Sequence, residues 1–317
     1  MFGYIVYRRL SIMTKFNVLI KSAFIGTVGV VGSLFFLKKY NYKRTNMAVP
    51  TFFTHASPYI FARRGGMAVR PEHTQLAFDY ANNHKVTGFD IDIRLTQDYH
   101  LVAFHDSELD RTTNGSGAVM THNLAELQHL DAGYYFTDIN KHHPYRDHHL
   151  AKILSLSEVL TKYPNQLIIV HILDAPDTTN AHRIPKLLFD IIVQHHAQHR
   201  VVVMSPFVEH ITAFADYNEE EIAVGASQKE MTEAFIKYIL GIGHTFKPKS
   251  HFFQLTPQIN HTKRLEYNYI QWLLRLNIVP SYSPVNNLDL MQELTKHGVH
   301  SIVTDRPDLA QRFNNIK

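Results

Sequence analysis

Two aspartates, Asp90 and Asp92, stand two residues apart in the short apolar stretch GFDIDI at residues 88–93. In a β-strand, residues two apart point to the same side, so both carboxylates can reach one cation. Carboxylates among apolar neighbours are costly unless they are paired. The two aspartates therefore predict a divalent-cation site, with a purely structural role as the alternative.

His105 and Arg64 are residue types that can transfer protons and bind anions. His105 is followed directly by Asp106, and a histidine can act as a general acid because its pKa can lie near the working pH. The guanidinium of Arg64 suits a pair of phosphate oxygens. Glu72 follows a proline just before a predicted helix, where an acidic residue can also stabilise the first turn. The structural alternatives are a loop-bonded histidine, a surface arginine and a capping glutamate.

The elements that must position these residues alternate in type along residues 51–317. Short β-branched runs alternate with longer amphipathic ones, which is typical of an α/β fold. Eight runs predict strands, at residues 59–62, 88–93, 167–172, 201–204, 222–226, 252–255, 278–282 and 301–304. Helical patterns are predicted at residues 74–83, 184–195, 229–240, 265–276, 288–297 and 307–313. Eight parallel strands with helices over about 250 residues predict a closed (β/α)8 TIM barrel.

One further apolar run, residues 101–104, does not fit this alternation. It begins about seven residues after Ile93, too soon for a crossover between parallel strands, so it is predicted to be the second arm of a hairpin. An insertion over about residues 106–155 follows, before a helix near Leu156. This insertion extends the connection after the second barrel strand, and such connections lie on the catalytic face of a barrel.

The N-terminal residues 1–50 differ from the rest of the chain. Residues 16–37 are apolar with a single charge, Lys21. About 20 apolar residues span the hydrocarbon core of a bilayer, so this stretch predicts a transmembrane helix, followed by a linker. A cleaved signal peptide and a soluble helix are the alternatives. Basic residues flank both sides, so the positive-inside rule does not decide the orientation. We expect a single-pass anchor with the barrel on the extracellular side.

Composition excludes several classes of protein. Of 317 residues, 45% are apolar, enough to bury a sizeable core, which excludes wholesale disorder. A net charge of +4 gives no support to nucleic-acid binding. The absence of cysteine excludes a disulfide framework, a thiolate nucleophile and a Cys-type zinc site.

Seven motifs follow one another in the barrel region. They are RRGG at 63–66, PEHT at 71–74, GFDIDI at 88–93, FHD at 104–106, RTTNGSG at 111–117, LDAG at 130–133 and GVHSIVTDRPD at 298–308. In order and spacing, the chain resembles the glycerophosphodiester phosphodiesterase family over residues 57–317. The resemblance implies a (β/α)8 barrel and cleavage of glycerophosphodiesters to glycerol 3-phosphate and an alcohol. It also implies one divalent cation, Ca²⁺ or Mg²⁺, and two catalytic histidines.

The family's site residues are carried over onto the matching positions. His105 matches the second catalytic histidine, and Arg64 matches the phosphate-binding arginine. Asp90 and Asp92 match a Glu-x-Asp metal pair, with aspartate replacing the first glutamate. Glu72 keeps the acidic position of the family's Pro-Glu-Asn-Thr motif and is predicted to contribute to substrate binding.

Several positions depart from the family pattern. Arg63 replaces the first catalytic histidine, and arginine cannot alternate as acid and base because it keeps its proton. His171 replaces a glutamate that is the third metal ligand, which shifts the preference toward Mn²⁺ or Zn²⁺. Leu173 replaces a phosphate-contacting lysine, for which Arg63 can compensate, and His73 replaces the Asn of the Pro-Glu-Asn-Thr motif. The site is therefore either rebuilt or retained only for binding.

These observations predict a metal-dependent hydrolase of glycerophosphodiesters, in lipid or wall-polymer turnover. In this hypothesis, His105 protonates the leaving alcohol. The predicted cation ligands are Asp90, Asp92 and His171. The predicted phosphate and substrate contacts are Arg63, Arg64 and Glu72. The alternatives are a degenerate barrel that binds a phosphodiester or another anionic ligand, and a phospholipase-type enzyme for lysophospholipids. The expected partners are the substrate and the membrane, and the oligomeric state is left open.

Overall fold

The structure is a computed structural model, and it describes residues 50–54, 57–218, 221–257 and 263–316. The strands in these ranges are β1 Tyr59–Arg63, β2 Gly88–Leu95, β3 Leu101–Ala103, β4 Leu167–Ile172, β5 Val201–Met204, β6 Ala223–Val224, β7 Phe252–Leu255, β8 Val279–Tyr282 and β9 Ser301–Thr304. The helices are α1 Gln75–Asn83, α2 Leu124–His129, α3 Leu156–Lys162, α4 Ile184–Gln194, α5 Val208–Ala215, α6 Gln228–Ile239, α7 Lys263–Arg275, α8 Leu288–Lys296 and α9 Pro307–Ile316.

Eight of these strands form a near-closed parallel barrel. Their order is β6-β5-β4-β2-β1-β9-β8-β7. The two ends of this order meet at a parallel bridge between Gly225, just after β6, and Phe252 of β7. There the amide of Ala226 donates a 2.8 Å hydrogen bond to the carbonyl of Phe252. The predicted (β/α)8 architecture is confirmed.

The hairpin arm is also confirmed, because β3 pairs antiparallel with β2. Two helices were not predicted, α2 in the insertion and α5 between two barrel strands. For α5 the reason lies in its composition. Three of its eight residues, Val208, Ile211 and Thr212, are β-branched, which lowers helix propensity. Packing of the buried His210 and Phe214 supplies the stabilisation that local propensity lacks.

Alternation along the strands gives the barrel an interior that changes from apolar to polar. Phe61 of β1 and Ile169 of β4 belong to the inner apolar cluster, whose lower end is closed by the stacked ring of Phe52, 6.2 Å from that of Phe61. The adjacent Ile60 and Ile168 belong to the larger cluster shared with the helices. Every second residue of a strand points into the barrel, so the inward positions at the carboxyl ends of the strands lie above the inner apolar cluster, and several of them are polar. These are Arg63 of β1, Asp90 and Asp92 of β2, and His171 of β4.

The insertion after β3 has a small core of its own. It is formed by Val102, Phe104, Leu109, Val119, Leu127, Ala132 and Ile153. Because Phe104 and Leu109 are both buried in it, the segment between them, which carries His105, is anchored at both ends.

The chain divides into two compact units. Residues 45–232 and 248–317 form the larger unit, which contains the barrel. Residues 233–247 belong to the other unit and hold the C-terminal half of α6 and a short 3-10 helix, Gly243–Thr245. The predicted transmembrane stretch at residues 16–37 lies outside the described residues. No helix in the described ranges combines the length and apolarity needed to cross a bilayer.

Candidate functional site

A tight turn after β1 separates the two arginines of the RRGG motif. Arg64, Gly65 and Gly66 have φ values of 51°, 79° and 105°. A Cβ at Gly66 would lie 2.5 Å from Cγ of Pro307, so this position requires glycine for packing as well as for its φ. The turn sends the side chains of Arg63 and Arg64 to different partners.

Arg64 lies buried between two carboxylates. Its Nη1 donates to Oε1 of Glu72 at 3.0 Å, and its Nε lies 2.8 Å from Oδ2 of Asp92. Burial by itself raises the pKa of both carboxyls, but their partners outweigh it. Hydrogen bonds from Arg111 and the charge of Arg64 lower the pKa of Glu72, and His73 and Arg64 hold the pKa of Asp92 well below its usual range. Both groups are therefore carboxylates at neutral pH.

Asp90 meets two nitrogen groups from other strands. Nε2 of Gln254, on β7, donates to Oδ2 of Asp90 at 2.7 Å, and Nε2 of His171, on β4, lies 3.4 Å from the same oxygen. Burial by itself lowers the pKa of His171, but the charges of Asp90 and Asp92 raise it above its ordinary value. Of the three predicted cation ligands, Asp90 and His171 are thus in contact, and Asp92 lies beside His171 in the strand register.

The arrangement of these ligands does not fit a bound metal. Among the residues that the structure describes, no three His, Cys, Asp or Glu side chains are placed to hold a metal ion. Oδ2 of Asp92 faces Arg64 and also Nε2 of His73 at 3.4 Å, and Oδ2 of Asp90 accepts from Gln254. Nitrogen groups thus contact one oxygen of each aspartate, Oδ2. The metal site remains a prediction from the sequence.

Arg63 is not brought into the contacts of Arg64. Its Nη1 lies 3.5 Å from Oδ1 of Asp305, just after β9, and 31% of its side chain is exposed. Asp305 is fixed in turn, because Nδ2 of Asn286 donates to its Oδ2 at 2.7 Å. The long contact leaves Arg63 the more accessible of the two arginines.

His105 pairs with the carboxylate that follows it in the chain. Its Nδ1 lies 2.6 Å from Oδ1 of Asp106, and 36% of its side chain is exposed. Partial burial lowers the pKa of His105, and this outweighs the opposing effect of Asp106. If Nδ1 donates to Asp106, Nε2 is the ring nitrogen that can accept a proton.

The backbone of His105 is held separately. Arg94 donates to the carbonyl of His105 from Nε at 2.9 Å and from Nη2 at 2.6 Å. Its Nη1 donates to Oδ1 of Asp174 at 3.1 Å, and Oδ2 of Asp174 accepts from the amide of Leu95 at 2.9 Å. A buried ion pair therefore positions the chain at His105.

Arg111 joins the two parts of the site. It donates to Glu72 from Nη2 at 2.6 Å and from Nη1 at 3.1 Å, and its Nε donates to Oδ2 of Asp106. The arginine–carboxylate group around Arg64 and the His105–Asp106 pair are thereby connected.

Sequence reasoning gave no role to several of these residues. They are His73, Arg94, Arg111, Asp174, Gln254, Asn286 and Asp305. Gln254 could have been predicted from the sequence. It is the polar residue in the strand FFQL, and it lies two positions after the inward-facing Phe252, so its side chain lies on the same face of the strand. Arg111 lies in the RTTNGSG motif. His73 and Asp305 lie in the PEHT and GVHSIVTDRPD motifs. Arg94, Asp174 and Asn286 have no local pattern that marks them as part of the site.

Comparison with known proteins gives a family match over most of the chain. The model of the glycerophosphoryl diester phosphodiesterase family matches residues 64–309. This range includes Arg64, His105 and both aspartates of β2.

Two curated relatives show different extents of similarity. A Mycobacterium tuberculosis protein named probable glycerophosphodiester phosphodiesterase 1 is 49% identical over 76 residues, 24% of this chain. That match spans only 28% of the relative. The glycerophosphodiester phosphodiesterase of Bacillus subtilis is 25% identical over 269 residues, which cover 81% of this chain and 85% of that protein.

Solved structures share the fold. The glycerophosphoryl diester phosphodiesterase domain of an uncharacterized Mycobacterium tuberculosis protein has a TM-score of 0.71 at 19% identity, covering 82% of this chain and all of that one. An Oleispira antarctica phosphodiesterase, solved with its product sn-glycerol-3-phosphate, has a TM-score of 0.63 at 21% identity, covering 82% of this chain and 96% of that one.

Proposed function

The chain belongs to the glycerophosphoryl diester phosphodiesterase family, and we propose that it hydrolyses glycerophosphodiesters to glycerol 3-phosphate and an alcohol. Members of this family are phosphodiesterases that hydrolyse glycerophosphodiesters. One observation carries the proposal to this chain: the Arg64–Glu72 pair and the His105–Asp106 pair are joined through Arg111.

In the proposed reaction, arginines neutralise the phosphate. Arg63 is partly exposed, and its 3.5 Å contact with Asp305 is long enough to be exchanged for a phosphate oxygen. Arg64 is more buried and is held by Glu72 and Asp92, so it contributes a fixed positive charge. Charges that are oriented before the substrate binds stabilise the negative charge that develops on phosphorus.

His105 is proposed to move the proton. Its lowered pKa keeps the ring neutral at pH 7, so Nε2 can accept a proton from the attacking water or from the neighbouring glycerol hydroxyl. As the bond between phosphorus and the alcohol oxygen breaks, the protonated ring returns a proton to that oxygen. Where the glycerol hydroxyl attacks, this step leaves a cyclic phosphodiester, and a water molecule then opens the ring to give glycerol 3-phosphate. A single histidine then acts as base and acid, as required where Arg63 replaces a second histidine.

Family membership also implies a divalent cation. Because the donor groups as arranged do not form a metal site, the proposed steps use only the chain's own residues. The ion expected from the sequence is tested by assaying hydrolysis after chelation and again with Ca²⁺, Mg²⁺, Mn²⁺ or Zn²⁺. Activity that is lost on chelation and restored by one ion would support the ligand set Asp90, Asp92 and His171. Activity that survives chelation would reject that set.

The second candidate function is binding of a phosphodiester without turnover. The observation that favours it is Arg63, which cannot exchange a proton and is paired with Asp305. The variant that combines Arg63→His, His171→Glu and Leu173→Lys distinguishes the two. If it is active while the parent is inert, the native chain is a degenerate relative. If the parent is active and the variant is weaker, the site has been rebuilt.

The proposed substrate class is tested with the full chain and three compounds. They are glycerophosphocholine, glycerophosphoglycerol and lysophosphatidylcholine. The proposal predicts release of glycerol 3-phosphate from the first two. Preferential cleavage of lysophosphatidylcholine would instead support the phospholipase-type alternative.

We also propose that the protein is anchored in a membrane by residues 16–37, with the barrel on the extracellular side, and acts in lipid or wall-polymer turnover. The support is the length and apolarity of that stretch in the sequence. The test is fractionation of cells that express the full chain, followed by protease treatment of intact cells. Recovery in the soluble fraction would contradict the anchor, and protection of the barrel would contradict the sidedness.

A further inference from the structure

Arg111 is the least buried member of the hydrogen-bonded network at the site, with 49% of its side chain exposed. Its three nitrogen groups nevertheless all donate to carboxylates. Nη1 and Nη2 form a two-point contact with Glu72, and Nε contacts Asp106. The two-point geometry fixes the plane of the guanidinium as well as its distance.

The backbone around Arg111 is fixed by the insertion. Leu109 is buried, and its carbonyl accepts from the amide of Thr113 at 3.2 Å and from its hydroxyl at 2.9 Å. The amide of Leu109 donates to the carbonyl of Gly117 at 2.9 Å. Arg111 therefore extends from a closed turn, so little further ordering is needed for it to hold both carboxylates.

Asp106 is shared between two cationic partners. Its Oδ1 faces His105 and its Oδ2 faces Arg111. Burial alone raises the pKa of Asp106, but the hydrogen bonds from Arg111 and His105 lower it. The charge of Arg111 thus offsets part of the negative field that Asp106 exerts on His105.

We propose that Arg111 is a positioning residue for the reaction at His105, an inference that rests on the proposed function. Arg111 ties Asp106 to Glu72, which fixes the orientation of the His105 ring relative to the arginines. It also reduces the negative charge that the ring experiences, which keeps the ring neutral and able to accept a proton.

The test uses Arg111→Met, with Arg146→Met as the matched control. Arg146 is a guanidinium of the same insertion that contacts Tyr134 instead of the site. Two readouts are compared in the full chain: the pH–rate profile for glycerophosphocholine, and the titration of the His105 ring by NMR, with its resonance assigned from His105→Gln. The charged groups that face His105 are Asp106, Asp92, Arg64 and, through Asp106, Arg111.

With Arg111 removed, Asp106 acts on His105 without an offsetting charge. We expect the pKa of His105 and the acidic limb of the profile to rise together by about one pH unit, as for gain of an uncompensated carboxylate. We expect kcat to fall about 10- to 100-fold through misorientation. Arg146→Met should change neither readout.

Arg111→Lys keeps the charge but offers one ammonium group for two carboxylates. We expect a wild-type pKa for His105 with a reduced kcat, and this variant gives an answer even if Arg111→Met does not fold. Unchanged titration and kcat in both variants would overturn the inference and leave the proposed function intact. A shifted titration in a chain that hydrolyses no diester would support the positioning role and reject the proposed function.

Discussion

His105 is fixed from two directions, by Asp106 at its ring and by Arg94 at its carbonyl. The two contacts have different consequences. The contact of Asp106 with the ring determines which ring nitrogen carries the proton. The contact of Arg94 with the carbonyl fixes the position of the residue. A general base must lie within hydrogen-bonding reach of the proton that it accepts, so both contacts matter for catalysis.

Arg94→Met removes the contact with the carbonyl and leaves the carboxylate of Asp174 with one partner fewer. Unpairing a buried charged group costs about 1–3 kcal/mol, and we expect a loss of that size in the free energy of unfolding. We also expect kcat to fall about tenfold or more, because His105 is no longer fixed. Urea unfolding and steady-state hydrolysis measure the two effects. Arg306→Met, which breaks an exposed pair with Asp308, is the control, and equal effects in both variants would contradict this role.

Gln254→Glu tests whether the amide that contacts Asp90 limits cation binding at Asp90, Asp92 and His171. The variant would replace the amide nitrogen 2.7 Å from Asp90 by a carboxylate oxygen. Each added carboxylate strengthens binding of a divalent cation, so we expect affinity for Mn²⁺ to rise at least about tenfold. Calorimetry measures it, with Gln271→Glu, on the outer face of α7 and bonded to His297, as the control. Unchanged affinity would show that Gln254 does not limit cation binding.

The residue types of the site were readable from the sequence, but their pairing was not. The spacing of Asp90 and Asp92 predicted that both point inward, and they do. The pairs Gln254–Asp90 and Arg63–Asp305 join residues 164 and 242 positions apart. No local pattern encodes such contacts, because they depend on which strand ends the barrel brings together.

At the scale of elements, the alternation of apolar runs with amphipathic segments predicted the barrel. Parallel strands that are buried on both faces consist of continuous β-branched residues, which makes them recognisable in the sequence. The eight predicted strands coincide closely with those observed, and the short spacing after β2 identified the hairpin arm. Helix α5 was missed because it depends on burial of His210 and Phe214 instead of on helix-forming residues. Elements that are stabilised mainly by tertiary packing leave a weak local signal.

The turn between β1 and α1 is the element on which the arginines depend. Gly66→Ala would place a methyl group 2.5 Å from Pro307 at a φ of 105°. We expect a loss of about 1–3 kcal/mol in the free energy of unfolding, more than the conformational strain alone. Gly241→Ala is the matched control, because its φ is 73° but no atom lies within 4 Å of the added Cβ. Urea unfolding compares them, and equal losses would contradict the packing argument.

At the scale of the whole molecule, the barrel concentrates charged groups at the end of an apolar interior. Such groups make stability depend on pH when their folded and unfolded pKa values differ. The folded state holds the pKa of Asp92 below its ordinary 3.8 and that of Glu72 below its ordinary 4.5. Their contribution to stability is therefore present above these values and is lost as the pH falls through the folded pKa.

Asp92→Asn should make the acid dependence of stability shallower. Asparagine does not titrate, so the variant lacks the protonation at residue 92 that makes the wild-type protein less stable at low pH. The urea midpoint of the variant should therefore fall less steeply than that of the wild type between about pH 5 and pH 3. The control is Asp190→Asn, which breaks only an exposed pair with Lys186. Parallel pH curves for wild type and Asp92→Asn would contradict the electrostatic account.

In the proposed reaction, this chain breaks a phosphodiester bond with His105 as the proton-transfer group. The most direct measurement is ³¹P NMR of glycerophosphocholine mixed with the full chain at neutral pH. The proposed reaction predicts that the diester resonance is replaced by that of glycerol 3-phosphate, and that His105→Ala slows this conversion by at least about 100-fold. A wild-type chain that leaves the diester intact, or a His105→Ala variant that is equally fast, would contradict it.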